Sequence, residues 1–294
     1  MELAEIRPFE PQMAEIDLFT MPDAVGVGEP SVRKVKPYIS GHVTDGSSTF
    51  TFQLYNGAEI TVPVDSNGNW VWYWDGNPIS LRGSFADKTE LDRIEFYKIE
   101  ATSCRSTFSR CGDISISIID SFHTTDDFYG FSNSVSSITN LVVKKCTFAE
   151  MTNGWRAFGN VQGDIIMNGC MFAKLTNGYS MFYGCKGESI LLPDAEFMNL
   201  TNTQYMFGDV SAAQAKNMKN IEIKKIGVNL IFSLYQNLTE QSVVNLFNAV
   251  SKDGITLTFH ATVFAMIEQQ LAIEDSPIYN AYWNSEFDFE YTTA

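Results

Sequence analysis

The sequence predicts an α/β-type repeat solenoid, one strand plus an irregular or helical connector per unit, preceded by a small antiparallel all-β module. Three observations carry this. The phrase "MTNGWRAFGN" at 151–160 returns as "LTNGYSMFYG" at 175–184. The phenylalanine near the end of each phrase belongs to a longer file, Phe85, Phe108, Phe131, Phe158, Phe182, Phe207 and Phe232, at spacings of 23, 23, 27, 24, 25 and 25. A short apolar run follows most of these anchors.

Those runs are "RIEFYKI" (93–99), "ISISII" (114–119), "ITNLVV" (138–143), "DIIM" (164–167), "SILL" (189–192), "IEIKKI" (221–226) and "ITLTF" (255–259). Several alternate or are β-branched, which marks strands. The unit of about 25 residues lies in the range of leucine-rich repeats, so the array is leucine-rich-repeat-like. One such unit cannot bury both faces of its strand, and stability has to come from stacking. The anchors then form an aromatic ladder, the strand isoleucines a second, and Phe148, Phe172 and Phe197 a further file. "TN" at 152–153, 176–177 and 201–202 marks turns. All of these read as architecture.

Four segments follow from the composition along the chain. Residues 1–36 are an extended arm: five of the nine prolines fall in the first 37 residues, and the first 30 carry seven acidic residues against one basic. Its apolar residues include Ile6, Phe9, Ile16, Leu18 and Phe19. They suit an assembly arm that orders on a neighbouring subunit; the alternative is a disordered tail.

Residues 37–80 form the all-β module, with strands "YISGHV", "TFTFQLY", "EITVPV" and "NWVWYW". "VDSNGNW" (64–70) reads as a hairpin turn rather than a calcium loop, which would need a distal glutamate. Trp70, Trp72 and Trp74 share one face, as a sugar platform or, in preference, as core sealing the module onto the first repeat.

Residues 81–236 are the solenoid and 237–294 its C-terminal cap. In the cap, Thr239 starts a helix with Val243, Leu246, Phe247 and Val250 inward and Gly254 ending it. A second helix begins near Val263, and "YNAYWNSEFDFEYTTA" reads as a last strand.

"MFYGCKGESILLP" (181–193) and "FSRCGDISISI" (108–118) resemble BspA-type leucine-rich repeats: an aromatic anchor, a Gly-Cys or similar pair, a spacer and a short strand. The pairs Met181–Phe182 and Met206–Phe207 look like the related MF repeat of bacterial surface and phage structural proteins. "LTEQSVVNLFNAV" (238–250) is similar to the helix that closes such arrays. The resemblance covers roughly residues 81–294. The copy is diverged, with Val161 and Val210 where others have Cys. It implies a scaffold that binds other molecules through outward strand residues, on a virion or on a bacterial surface.

Charge and cysteine content narrow the partners. With 35 acidic and 20 basic residues the net charge is −15, which argues against nucleic acid and an anionic membrane. No apolar run approaches a membrane span, so no membrane insertion is expected. "MELAEIRPFEPQM" has neither a basic n-region nor an apolar h-region, so no signal peptide is expected. That favours a phage particle released by lysis over an exported adhesin. Cys104, Cys111, Cys146, Cys170 and Cys185 are odd in number and form no CxxC, so they read as buried fillers rather than a metal site or disulfide framework.

The expected function is therefore that of a non-enzymatic structural or adhesion protein without cofactor or metal. It would act as a virion component, oligomeric in its assembly and bound to other virion or surface proteins through the arm. A glycan or host-surface receptor is the further expected partner. The alternative is a bacterial cell-surface BspA-like adhesin. An enzyme of unknown type is the third reading, since His123 with Asp126–Asp127 is the nearest thing to a polar cluster and matches no catalytic motif. The candidate binding residues are the outward strand positions Ser115, Ser117, Asn140, Lys144, Met167, Glu222 and Lys224, together with Trp72.

Overall fold

The computed structural model describes residues 36–77, 79–132, 135, 137–208 and 218–294. The arm residues Ile6, Phe9, Ile16, Leu18 and Phe19 lie outside the described residues, as does Val210.

Each predicted apolar run of the array is a strand. β5 (Leu91–Tyr97), β6 (Asp113–Ile119), β7 (Ser137–Lys144), β8 (Ile165–Asn168), β9 (Ser189–Phe197) and β10 (Asn220–Ile226) lie side by side, each parallel to the next. Before them, β1 (Tyr38–Val43) pairs antiparallel with β5 and with β4 (Asn69–Tyr73). β2 (Thr49–Gln53) and β3 (Glu59–Pro63) form a separate two-stranded hairpin. The eight-stranded sheet runs β10-β9-β8-β7-β6-β5-β1-β4, so β1 and β4 of the N-terminal segment continue the array's own sheet.

The connectors stack as well as the strands. Phe85, Phe108, Phe158 and Phe182 donate backbone N–H bonds to Thr107, Phe131, Met181 and Met206, each on the next turn. Bridges also link Ser103, Asp127, Asn153, Asn177 and Asn202 in succession. Among the described residues the connectors through residue 208 contain no helix, so these turns make a β-solenoid. The corners are set by left-handed backbone at Gly83, Ser106, Gly130, Arg156, Ser180 and Tyr205, one per turn. Just before this corner, the side-chain oxygens of Asp127, Asn153 and Asn177 accept the N–H groups of Tyr129, Trp155 and Tyr179. These Asx turns hold the corner while the backbone carbonyls of Asp127, Asn153 and Asn177 bond to the preceding turn.

Inside, the anchor ladder runs the length of the array. Ring centroids from Phe85 through Phe108, Phe131, Phe158, Phe182, Phe207 and Phe232 are separated by 5.6, 5.1, 6.4, 6.1, 5.5 and 5.3 Å, and Phe259 follows Phe232 at 5.8 Å. Phe148, Phe172 and Phe197 form a second stacked file at 5.3 and 5.7 Å. Cys111, Val135, Val161 and Cys185 are buried at matching places in successive turns, so Val and Cys interchange there as small apolar fillers.

At the N-terminal end Phe50, Phe52 and Trp70 pack on Phe85, closing the ladder. Position 41 is glycine because a Cβ there would lie 2.5 Å from Trp70 Cζ2. The turn at 64–70 forms, with Asp65 Oδ1 accepting N–H bonds from Asn67 and Asn69 and Gly68 at φ +82°. It is not a hairpin, however. β3 pairs with β2 and β4 with β1, because Trp70 packs against Gly41 and draws β4 onto the main sheet.

At the C-terminal end β11 (Leu230–Phe232), β12 (Ile255–Phe259) and β13 (Phe289–Thr293) form a parallel three-stranded sheet. Between them lie α1 (Glu240–Ala249), α2 (Ala261–Leu271) and α3 (Pro277–Trp283). Thr239 caps α1 as expected, its Oγ1 accepting the Ser242 N–H. Gly254 is not the end of α1, which stops at Val250; at φ +72° it makes the turn into β12. "YNAYW" belongs to α3 rather than to a strand: Ser276 caps it and Pro277 opens it.

Candidate binding surface

The outer face of the eight-stranded sheet is open to solvent, because the inner face is filled by the aromatic ladders. Alternation along each strand decides which side chains reach it. On β6, Ser115 and Ser117 point outward between buried Ile114, Ile116 and Ile118. On β7 Asn140 and Lys144 are exposed, and on β10 Lys224 is exposed and Glu222 half-buried.

Met167 is different. Its relative exposure is 0 %, while Ile166 beside it is 45 % exposed and Asn168 is exposed. In β8 both Ile165 and Ile166 are apolar, and pairing of Ile165 with the buried Ile190 turns Met167 into the core. Trp72 lies on β4, half-buried, with its ring edge-on to Phe52 at 5.7 Å, so it serves mainly to seal the N-terminal end.

Strand register brings some of these residues together. Asn69, His42, Arg93, Ser115 and Asn140 form one polar row across β4, β1, β5, β6 and β7, with Arg93 Nη2 donating to Asn69 Oδ1 at 2.7 Å. Ser117 falls in the next row, opposite Val142, and Lys144 pairs with Asn168. Glu222 and Lys224 lie at the far end of the sheet. There Glu196 bonds both Lys224 and Lys225, at 3.0 and 3.1 Å, which holds its carboxyl below the usual range. The six outward positions therefore do not converge on one spot; they lie spread along the sheet, and the seventh, Met167, lies in the core.

Sequence reading missed the aromatic part of that face. Tyr73, Tyr38 and Tyr97 are neighbours across β4, β1 and β5. Tyr38 stacks on Tyr97 at 5.2 Å and meets Tyr73 edge-on at 6.5 Å. Partial burial, then a hydrogen bond to Glu95, pushes the Tyr38 hydroxyl above its ordinary pKa. The parity of "YIS" and "WYW" carried the signal, but the adjacency comes only from register.

A second aromatic column lies on a solenoid corner. Tyr129 and Trp155 stack at 4.4 Å and 13°, Trp155 and Tyr179 at 6.4 Å and 15°, and the Arg105 guanidinium lies 4.4 Å from the Tyr129 centroid. The ring faces are spent on one another, which leaves edges toward solvent. That geometry stabilises the stack.

His123 groups with Asp120, Glu100 and Thr147 rather than with Asp126–Asp127: Nε2 is 3.3 Å from Asp120 and 3.9 Å from Glu100, and Nδ1 is 3.0 Å from Thr147 Oγ1. Asp127 Oδ1 is occupied by the Tyr129 N–H. Among the described residues no cluster of three His, Cys, Asp or Glu could hold a metal ion, and no helix is long and apolar enough to cross a membrane.

All five cysteines are buried and unpaired by disulfides. Burial raises the thiol of Cys111 to about 11 and that of Cys185 to about 12.

Comparison of the chain with protein-family models, with curated proteins and with solved structures gives no match.

Proposed function

We propose that the chain is a non-enzymatic structural and adhesion protein, most simply a phage virion component of fibre, tail or head-decoration type. In this reading residues 1–36 anchor it to other virion proteins, and the solenoid is presented toward a host surface or a protein partner. The observation that supports it is the continuous ladder from Phe85 to Phe259, which makes a rigid stack whose outer sheet face displays Ser115, Ser117, Asn140 and Lys144, with Ser115 and Asn140 paired across β6 and β7. Such a face suits an extended partner better than a small substrate.

The second reading is a bacterial cell-surface adhesin of BspA type that binds host protein or glycan. The tyrosine patch of Tyr38, Tyr73 and Tyr97 favours it, since partly exposed rings beside hydroxyls and Glu95 suit a polar ligand with apolar faces. The leucine-rich-repeat-like character of the array belongs to the same proposal. It is supported by the strand–helix–strand order of β11, α1 and β12.

Immunogold labelling with an antibody to the full chain separates the two. Labelling of released particles supports the virion reading. Labelling confined to the bacterial envelope would replace it with the adhesin.

A further inference from the structure

The two edges of the eight-stranded sheet are treated differently. At the β10 edge, α1 is laid against the strand. Ser242 Oγ accepts the Ile221 N–H at 2.8 Å and donates to the Ile221 carbonyl at 3.3 Å, and the Thr239 and Ser251 N–H groups bond to the carbonyls of Lys219 and Ile226. That edge is closed. β4, at the other end, carries no charge, no proline and no bulge in its pairing with β1.

Hydrogen-bond phase identifies which of its backbone groups are open. Trp74 N–H bonds Pro37 at 3.0 Å and Val43 N–H bonds Gly68 at 2.9 Å, so the even-numbered residues of β4 face β1. The odd ones, Asn69, Val71 and Tyr73, face away. Asn69 is spent on its own turn: its N–H goes to Asp65 Oδ1 and its carbonyl accepts the Asp65 N–H. Among the described residues nothing bonds the outward N–H and C=O of Val71 and Tyr73. Their side chains are also the two most exposed on the strand, at 41 % and 54 %.

We infer that β4 is a self-association edge, and that its partner is β4 of a second copy of this chain, antiparallel about a twofold axis. The register follows from the open groups. Val71 opposite Tyr73 of the partner subunit, and the reverse, uses the N–H and C=O of both residues in both copies and no group already engaged. It sets a β-branched side chain against an aromatic one twice, a favourable cross-strand pair. Asn69, whose outward groups its own turn uses, takes no part, so the pairing is confined to these two residues of each copy. Tyr73 is already braced edge-on against Tyr38, so the outer tyrosine patch would continue across the junction. This inference is independent of the virion and adhesin readings.

Analytical ultracentrifugation of the full chain tests it. A dimer is expected, with V71P, which deletes one outward N–H but no bond to β1, and V71K both giving folded monomer whose melting temperature, unlike that of the wild type, does not rise with concentration. V71T, which keeps the backbone and the β-branch, should stay dimeric. Wild type that remains monomeric up to its solubility limit overturns the inference, as does a dimer that survives both V71P and V71K. If those variants fail to fold, amide exchange on the unaltered chain decides. Val71 and Tyr73 must exchange more slowly as concentration rises, and fast, concentration-independent exchange at both overturns the inference equally.

Discussion

Phe158 and Phe182 are 24 residues apart in the chain, yet their rings stack with centroids 6.1 Å and planes 20° apart. Each belongs to the repeated phrase of its own turn, and each N–H bonds the carbonyl of the next turn's equivalent segment. Side-chain and backbone stacking are therefore in the same register. An aromatic removed from the middle of the ladder leaves a gap between two turns that the backbone ladder holds at fixed spacing.

Phe182→Ala is accordingly expected to cost about 3–5 kcal/mol of unfolding free energy, and Phe182→Leu clearly less. Urea denaturation of the two variants measures this. A loss for Phe182→Ala within about 0.5 kcal/mol, as for a surface substitution, would show that the ladder does not hold the turns together.

Gly187 marks the closest approach to a neighbouring backbone among the described glycines. A Cβ there would lie 2.3 Å from the Gly163 carbonyl oxygen, a backbone atom that cannot swing away, whereas a Cβ on Gly163 itself meets nothing within 4 Å. Gly187→Ala is expected to destabilise by about 1–3 kcal/mol and Gly163→Ala to be near neutral. Equal melting temperatures for the two variants would refute this contact.

Three of the buried thiols, Cys104, Cys111 and Cys185, should be silent in the native state. Cys111 and Cys185, pushed up to about 11 and about 12, hold almost no thiolate at pH 8, and complete burial likewise raises Cys104 well above its ordinary value. A colorimetric thiol reagent at pH 8 is expected to react slowly with these three in the folded chain and to titrate all five cysteines in denaturant. Rapid native labelling of any of these three would contradict their burial.

Acid should loosen the far end of the sheet through Glu196. Its carboxyl is held below the ordinary value of 4.5 by Lys224 and Lys225, so the unfolded chain takes up this proton first as pH falls. The contribution is complete above pH 4.5 and is lost as pH falls through the lowered folded value. Exposure and salt limit it to below about 1 kcal/mol. Glu196→Gln should flatten the acid limb of a low-salt stability–pH curve slightly and leave it unchanged near pH 7. A variant curve parallel to wild type throughout would remove Glu196 from the acid response.

Much of the fold was legible because its period is carried by bulky residues. The phenylalanine spacings located the turns, and β-branched alternation located β5 to β10 and β12. Thr239 announced its helix through cap chemistry. Ser276 followed by Pro277 is an equally good helix start, and the aromatic parity of "YNAYW" obscured it. The outward face of the sheet was legible wherever a strand alternates cleanly, as at Ser115 and Ser117. It failed at Met167, where two adjacent isoleucines make both registers equally apolar.

The sequence by itself determined that this chain stacks turns of about 25 residues on an aromatic spine, because period and side-chain volume are local properties that repetition makes visible. Only the tertiary structure decided that β4 leaves its neighbour β3 to join β1, that Tyr73, Tyr38 and Tyr97 meet, and that one sheet edge is closed by Ser242 while at the other, among the described residues, Val71 and Tyr73 keep their outward backbone groups unbonded. Those outcomes depend on which strand supplies hydrogen bonds to which. Partner choice between strands distant in sequence is settled by packing such as Trp70 against Gly41, which no local pattern encodes.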